Sequence, residues 1–322
     1  MSIFVRGILI GIATCGFVSA LCIAAPPITS LAFSPDGKTA LAASEGQIAT
    51  YAWPSLERLG SSKVKFDKVT DLRFSAAGER LLTIGGAPGE FGGFQIIDWP
   101  RAEQALSGNA SQRHEVSPDA IFAAVWIDKQ RVALACAEGT VLIVSTDGEI
   151  AHTLNGHSRH VLSVAALAGG KILVSGGADA SVRVWDIESG KLLRTLGNHT
   201  SAVRALAVRP TGEGLPMIAS AGADKTVRLW QPTIGRMVRF ARLKSPPLSI
   251  AWSLDGKRLL ASCEDGRLRV INPDTVAILQ DEPAINGWAF AVAVSPDGRS
   301  CVVAGEGGKL TRIALNSAQS EK

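Results

Sequence analysis

His157 and His160 stand in the run HSRH, and two imidazoles three positions apart can share a metal ion. No third ligand of suitable spacing lies near them, so no metal site is expected. His157 and Asp179 could instead serve as acid and base, since an imidazole and a carboxylate are the usual carriers of protons in catalysis. No GxSxG, P-loop or dinucleotide-binding glycine pattern accompanies them; the glycines fall between apolar runs, where hairpins turn. Of five cysteines, Cys15 and Cys22 lie near the N-terminus. Cys136, Cys263 and Cys301 each sit in an apolar run and are expected to be buried thiols, with a Cys263–Cys301 bridge left open. There is no CxxC or CxxCH, so no zinc ribbon or c-type haem is expected, and no cofactor.

The elements that must carry His157 and Asp179 lie between Asn155 and Asp186. Three β-type runs, roughly VLSVAAL, KILVSG and SVRVWD, are separated by AGG and GADA. Branched residues alternating with small or polar ones favour pleated strands, and paired glycines favour a tight hairpin. Three strands in about 30 residues cannot bury both faces alone, so the unit needs a neighbour. Asn198 to Trp230 repeats the pattern, with VRALAV, MIASAG and TVRLW in matching places.

Gly156–His157, SGGAD and Trp185–Asp186 at these spacings resemble the WD repeat, and the second copy carries Asn198–His199, SAGAD and Leu229–Trp230, with Gln231 in place of the last Asp. The resemblance implies a β-propeller blade held by a hydrogen-bonded tetrad. Carried over by position, the tetrads are His157, Ser175, Asp179, Trp185 and His199, Ser220, Asp224, Trp230. A buried carboxylate is tolerable when an imidazole, a hydroxyl and an indole N–H satisfy it, so these residues are expected to hold blades together and not to catalyse.

A series of turns sets the period: SPDGK at Gly37, SAAGER at Gly78, IDKQR at Lys129, AGGK at Gly170, RPTGEG at Gly212, SLDGKR at Gly256 and SPDGR at Gly298. Proline suits the second turn position and glycine the left-handed one after it. Spacings of 41 to 44 residues, stretched once to 51 where GGAPGEFGG inserts a loop, are those of a WD-repeat propeller. The expected fold is all-β: a seven-bladed β-propeller of four-stranded antiparallel blades. Only blades four and five keep a full tetrad; Tyr51, Ile97, Val144 and Ile271 take the Trp position elsewhere. Propellers of this family usually seal the ring with a strand shared between the termini. Here the last blade is expected to have three strands, or a weak fourth from 316–322.

Residues 1–25 read as a signal peptide or N-terminal membrane anchor: Arg6, then the uncharged run Ile8 to Ala25 ending in small residues. The propeller then occupies 26–322. The expected location is the periplasm, cell envelope or exterior. The net charge of +4 is scattered, with Arg183, Arg228 and Arg269 recurring at one place in the repeat, and no basic stripe interleaved with aromatics suggests nucleic acid.

A propeller displays loops on two faces and a central channel. The resemblance implies a protein or peptide partner on the face whose loops lead into the innermost strands. Aligning the repeats puts Lys68, His160 and Trp288 at one position there, with Pro27, Ala202 and Pro247 in other blades and Arg159 and Arg204 nearby. Trp and Arg are common anchors of such contacts. The leading expectation is a non-enzymatic, exported scaffold, a monomer within a complex. The alternatives are an enzyme or small-ligand binder using the channel, where Asp71 could point, or an accessory subunit of an envelope redox or degradative complex.

Overall fold

The computed structural model describes residues 25–99, 112–167, 169–210 and 214–316. Residues 1–24, which carry most of the stretch read as a signal or anchor, lie outside them, as do 317–322, where a weak last strand was expected.

Seven antiparallel sheets follow one another along the chain. Blade 1 holds β1 (Ser30–Phe33), β2 (Thr39–Ser44), β3 (Gln47–Ala52) and β4 (Arg58–Lys63), and blade 2 holds β5 (Val69–Phe74), β6 (Arg80–Ala87), β7 (Phe91–Asp98) and β8 (His114–Ser117). Blade 3 is β9 (Ile121–Trp126), β10 (Arg131–Cys136), β11 (Thr140–Ser145) and β12 (Ile150–Asn155). Blade 4 is β13 (Val161–Ala166), β14 (Ile172–Gly177), β15 (Val182–Asp186) and β16 (Leu192–Leu196). Blade 5 is β17 (Val203–Val208), β18 (Ile218–Gly222), β19 (Thr226–Gln231) and β20 (Arg236–Arg242). Blade 6 is β21 (Pro247–Trp252), β22 (Leu259–Cys263), β23 (Arg267–Ile271) and β24 (Ile278–Pro283), and blade 7 has three strands among the described residues, β25 (Ala291–Val294), β26 (Ser300–Ala304) and β27 (Leu310–Ala314). The propeller and its three-stranded last blade are as expected. The insertion GGAPGEFGG is not simply a loop: Gly85 pairs with Gly93 and Ala87 with Phe91, so it lengthens the hairpin of β6 and β7.

The second strands are buried on both faces, which suits their unbroken apolar runs (TALAAS, RVALAC, LLASC). The core is divided between blades. Seven apolar clusters fill the seven interfaces, and burying this area is the main favourable term. Leu134, with no exposed surface, packs blade 2 on blade 3, and Trp230 packs blade 4 on blade 5. The smallest cluster seals blade 7 to blade 1: Ile28, Ala42 and Ala304 are its buried members. There the Ile28 N–H donates to the Gly305 carbonyl (3.1 Å), and Pro296 lies where a side chain on Gly37 would stand.

Candidate functional site: the rim face and the channel mouth

The tetrads form as the spacing predicts. In blade 4 the Trp185 indole donates to Ser175 Oγ (2.8 Å), Ser175 lies 2.8 Å from His157 Nε2, and His157 Nδ1 lies 3.0 Å from Asp179. Blade 5 matches it, with Trp230 to Ser220 at 2.8 Å, Ser220 to His199 at 2.7 Å and His199 to Asp224 at 2.9 Å. A neutral imidazole satisfies every group: Nδ1–H donates to the carboxylate and Nε2 accepts from the hydroxyl. Burial pulls both His157 and His199 below the ordinary imidazole range, overriding their carboxylates. Burial would raise Asp224, but hydrogen bonds from Thr226, the Thr200 N–H and His199 hold it at about 2. Asp, His and Ser stand in the order of a nucleophilic triad. Yet Ser175 and Ser220 are wholly buried under their tryptophans, out of reach of a substrate.

Blade 6 keeps the tetrad carboxylate without the tetrad. Asp265 occupies the place of Asp179 and Asp224, while Ile271 replaces the tryptophan. Arg269 of β23 supplies the missing partner, with Nη1 3.0 Å and Nη2 2.6 Å from the two carboxylate oxygens, and it is only 2% exposed. The recurrence of Arg183, Arg228 and Arg269 was the signal for this substitution. The three cysteines among the described residues are free and buried, and burial raises their thiols to about 11 for Cys136 and Cys263 and about 12 for Cys301.

One backbone hydrogen bond settles the repeat alignment at the rim. In blades 2 to 7 a residue at or just past the end of the second strand donates to a carbonyl just before the first strand. The acceptors are Lys68, Ala120, His160, Ala202, Pro246 and Trp288. Lys68, His160 and Trp288 are therefore equivalent, as aligned, but Pro246 takes the place assigned to Pro247, which lies within β21. Two positions later the inner strands of blades 2 to 6 bulge, at Thr70, Phe122, Leu162, Arg204 and Leu248; Phe290 just before β25 and Thr29 just before β1 take the same place in blades 7 and 1. They ring the mouth of a central channel of about 510 Å³ lined by all seven inner strands. This ring was missed because in blades 2 to 6 a bulge shifts its member out of the strand alternation from which exposure is read.

The mouth is built from aromatic pairs. Trp288 is 46% exposed and meets Phe290 edge to face, with centroids 5.8 Å apart. His160 tilts over Phe122 at 5.8 Å, and its Nδ1–H donates to the Ala137 carbonyl. Arg204 reaches across to Glu264 of blade 6 at 2.5 Å, while Arg159 and Lys68 stand exposed on the rim. All five expected rim residues thus share one face; Arg204 belongs to the mouth and the others to the rim.

Asp71, expected to point into the channel, does not offer a free carboxylate. Ser30 Oγ donates to it at 2.9 Å, Arg73 Nε at 2.9 Å, the Leu72 N–H at 2.9 Å and the Ala124 N–H at 3.2 Å. It staples blades 1, 2 and 3 together. It is also the one carboxylate among the described residues lining the channel, whose walls are otherwise mostly Ala, Val, Leu and Ser. No group of three His, Cys, Asp or Glu among the described residues is arranged to hold a metal, and no helix there is long and apolar enough to cross a membrane.

Four segments of the chain, 20–49, 148–186, 190–231 and 242–272, match the family described as WD domain, G-beta repeat. The first begins inside the stretch read as a signal. The chain is 30% identical over 151 residues to WD repeat-containing protein slp1 of Schizosaccharomyces pombe, covering 46% of this chain and 31% of that protein. It is 31% identical over 81 residues to COMPASS component SWD3 of Saccharomyces cerevisiae (25% and 26%), and 29% over 122 residues to small ribosomal subunit protein RACK1 of Drosophila melanogaster (36% and 38%). The aligned part thus spans well under half of each. These relatives are eukaryotic and lend no support to an exported, bacterial-type member.

Proposed function

We propose that this WD-repeat propeller is a non-enzymatic scaffold that binds a protein or peptide partner on its rim face. WD-repeat propellers in general serve as protein-interaction scaffolds, and similarity to slp1, SWD3 and RACK1 agrees with that role. The observation that carries the reading is Trp288. A tryptophan nearly half exposed, braced by Phe290 beside an apolar channel mouth, offers a rigid contact area at low entropic cost. His160 on Phe122 is a second anchor, and Lys68 and Arg159 supply charge around it, with Arg204 paired to Glu264 at the mouth. The channel reading is weaker, because its one carboxylate is saturated by protein donors.

An exported location is part of the proposal and rests on the uncharged run from Ile8 to Ala25. A pull-down with tagged protein, followed by mass spectrometry and repeated with Trp288→Ala and His160→Ala, tests the docking face. A partner captured by the parent protein and lost from folded variants supports it. A partner retained by both, or a small molecule co-purifying in stoichiometric amount, overturns it.

A further inference from the structure

We infer that the outer edge of blade 5, strand β20, is a second docking surface, separate from the rim face, and that it takes an extended acidic segment of a partner protein by strand addition. Four observations converge there. First, β20 has the sequence RMVRFAR and is seven residues long, against four to six in the other outermost fourth strands. It pairs on one side only, with β19, so its other side presents unpaired N–H and C=O groups over about 24 Å.

Second, Arg236, Arg239 and Arg242 are all exposed, and none makes an ion pair or hydrogen bond among the described residues. Elsewhere the arginines are mostly spent. Arg73, Arg131, Arg204, Arg267 and Arg269 meet carboxylates, and Arg80, Arg209 and Arg258 bond carbonyls of the next blade. Third, Arg194 of the neighbouring β16 lies against Gly235 in the turn that opens β20, adding another cation without a carboxylate partner. Fourth, Phe240 sits among these charges at 44% exposure, its ring held by the Arg228 guanidinium at 5.3 Å. The nearest tetrad carboxylate, Asp224, is already engaged by His199 and by Arg228 at 3.6 Å, so it does not neutralise the strand.

Charge alone would suit an anionic membrane or a nucleic acid as well. The open backbone edge favours a peptide, because amide and carbonyl groups at strand spacing pair with another strand and not with phosphates. The cations recur at every third residue along β20, with two apolar residues between each pair, and so call for carboxylates at the same spacing among apolar residues in the partner. Arginine suits this task, since its planar fork meets a carboxylate through two donors.

The test uses the whole chain and a fluorescein-labelled octapeptide with Glu at every third position and Val between, followed by fluorescence anisotropy at low ionic strength. Saturable binding is expected. It should weaken about tenfold or more with Arg239→Glu combined with Arg242→Glu, and should weaken as salt rises. The same peptide with N-methylated amides should lose most of its affinity, and a Lys–Val octapeptide should not bind. Trp288→Ala should leave octapeptide binding unchanged, which separates this edge from the rim face. If charge reversal impairs folding, judged by the thermal midpoint, Arg239→Gln with Arg242→Gln replaces it. Absence of binding, survival of binding in the variants, equal binding of the N-methylated peptide, or tighter binding of a single-stranded oligonucleotide or phosphatidylserine vesicles would each overturn the inference.

Discussion

The Arg312 guanidinium of the last blade lies over the indole of Trp53 in the first, 5.2 Å from the ring centroid. These residues come from opposite ends of the described chain, and their contact clasps the ring where its apolar seal is smallest. Similar arginine–tryptophan contacts join blade 2 to blade 3 (Arg80 on Trp126) and blade 5 to blade 6 (Arg209 on Trp252), so the closure uses a device repeated around the propeller. At the blade 7 joint it has Ile28, Ala42 and Ala304 behind it, with Leu31, Tyr51 and Leu310 packed half-buried against them.

Opening should therefore begin at this joint. Hydrogen exchange should be faster in β25–β27 and β1 than in blades 4 and 5. Arg312→Ala should lower stability by about 1 kcal/mol and accelerate exchange at that joint alone. Uniform acceleration across all blades would refute a local clasp.

Acid should weaken the tetrad blades in two stages. His157 and His199 have folded pKa values below the unfolded one, so their contribution is present above about pH 6.5 and is lost as pH falls below it. Asp224, at about 2 when folded against 3.8, contributes stability above about pH 4 that disappears as pH falls towards 2, worth roughly 2 kcal/mol. Urea midpoints should fall between pH 7 and pH 5.5, and His157→Gln with His199→Gln should flatten that interval. A midpoint constant down to pH 4.5 in the parent would contradict the assignment.

In blade 6, Asp265→Ala should cost more than the paired change Asp265→Ala with Arg269→Met. The single substitution leaves a buried guanidinium with only Asp281, 3.5 Å from its Nε, and should cost roughly 3 kcal/mol; the paired one removes the charge as well. Thermal unfolding of the parent, the single and the double variant would decide. Additive losses would show that the two residues do not act as a unit.

The thiols of Cys136, Cys263 and Cys301 should be inert in the native protein. With pKa values of about 11 to 12 and no exposure, they carry almost no thiolate at pH 8. Alkylation mapped by peptide should find them modified only after denaturant is added; native labelling at any of the three would show an opening of its blade.

The period of the turns, the seven blades, the all-β class and both tetrads were legible in the amino-acid sequence, because each depends on patterns repeated within about 40 residues. Strand alternation, a glycine where the chain must turn left-handed, and a histidine placed to meet an aspartate all recur, and recurrence separates them from chance. The equivalence of Lys68, His160 and Trp288 followed from the same repetition.

Only the tertiary structure decided the rest, because the groups concerned meet across blades and follow no repeat. Asp71 could be assigned to the channel from strand alternation, but Ser30 and the Ala124 amide, on the blades either side, consume it. The bulge that turns Phe122, Leu162 and Leu248 to the mouth leaves no mark in the local pattern. Nor does the seating of Arg312 on Trp53. Sequence periodicity determines how a blade is made; which side chains fill the space between blades depends on closing the ring.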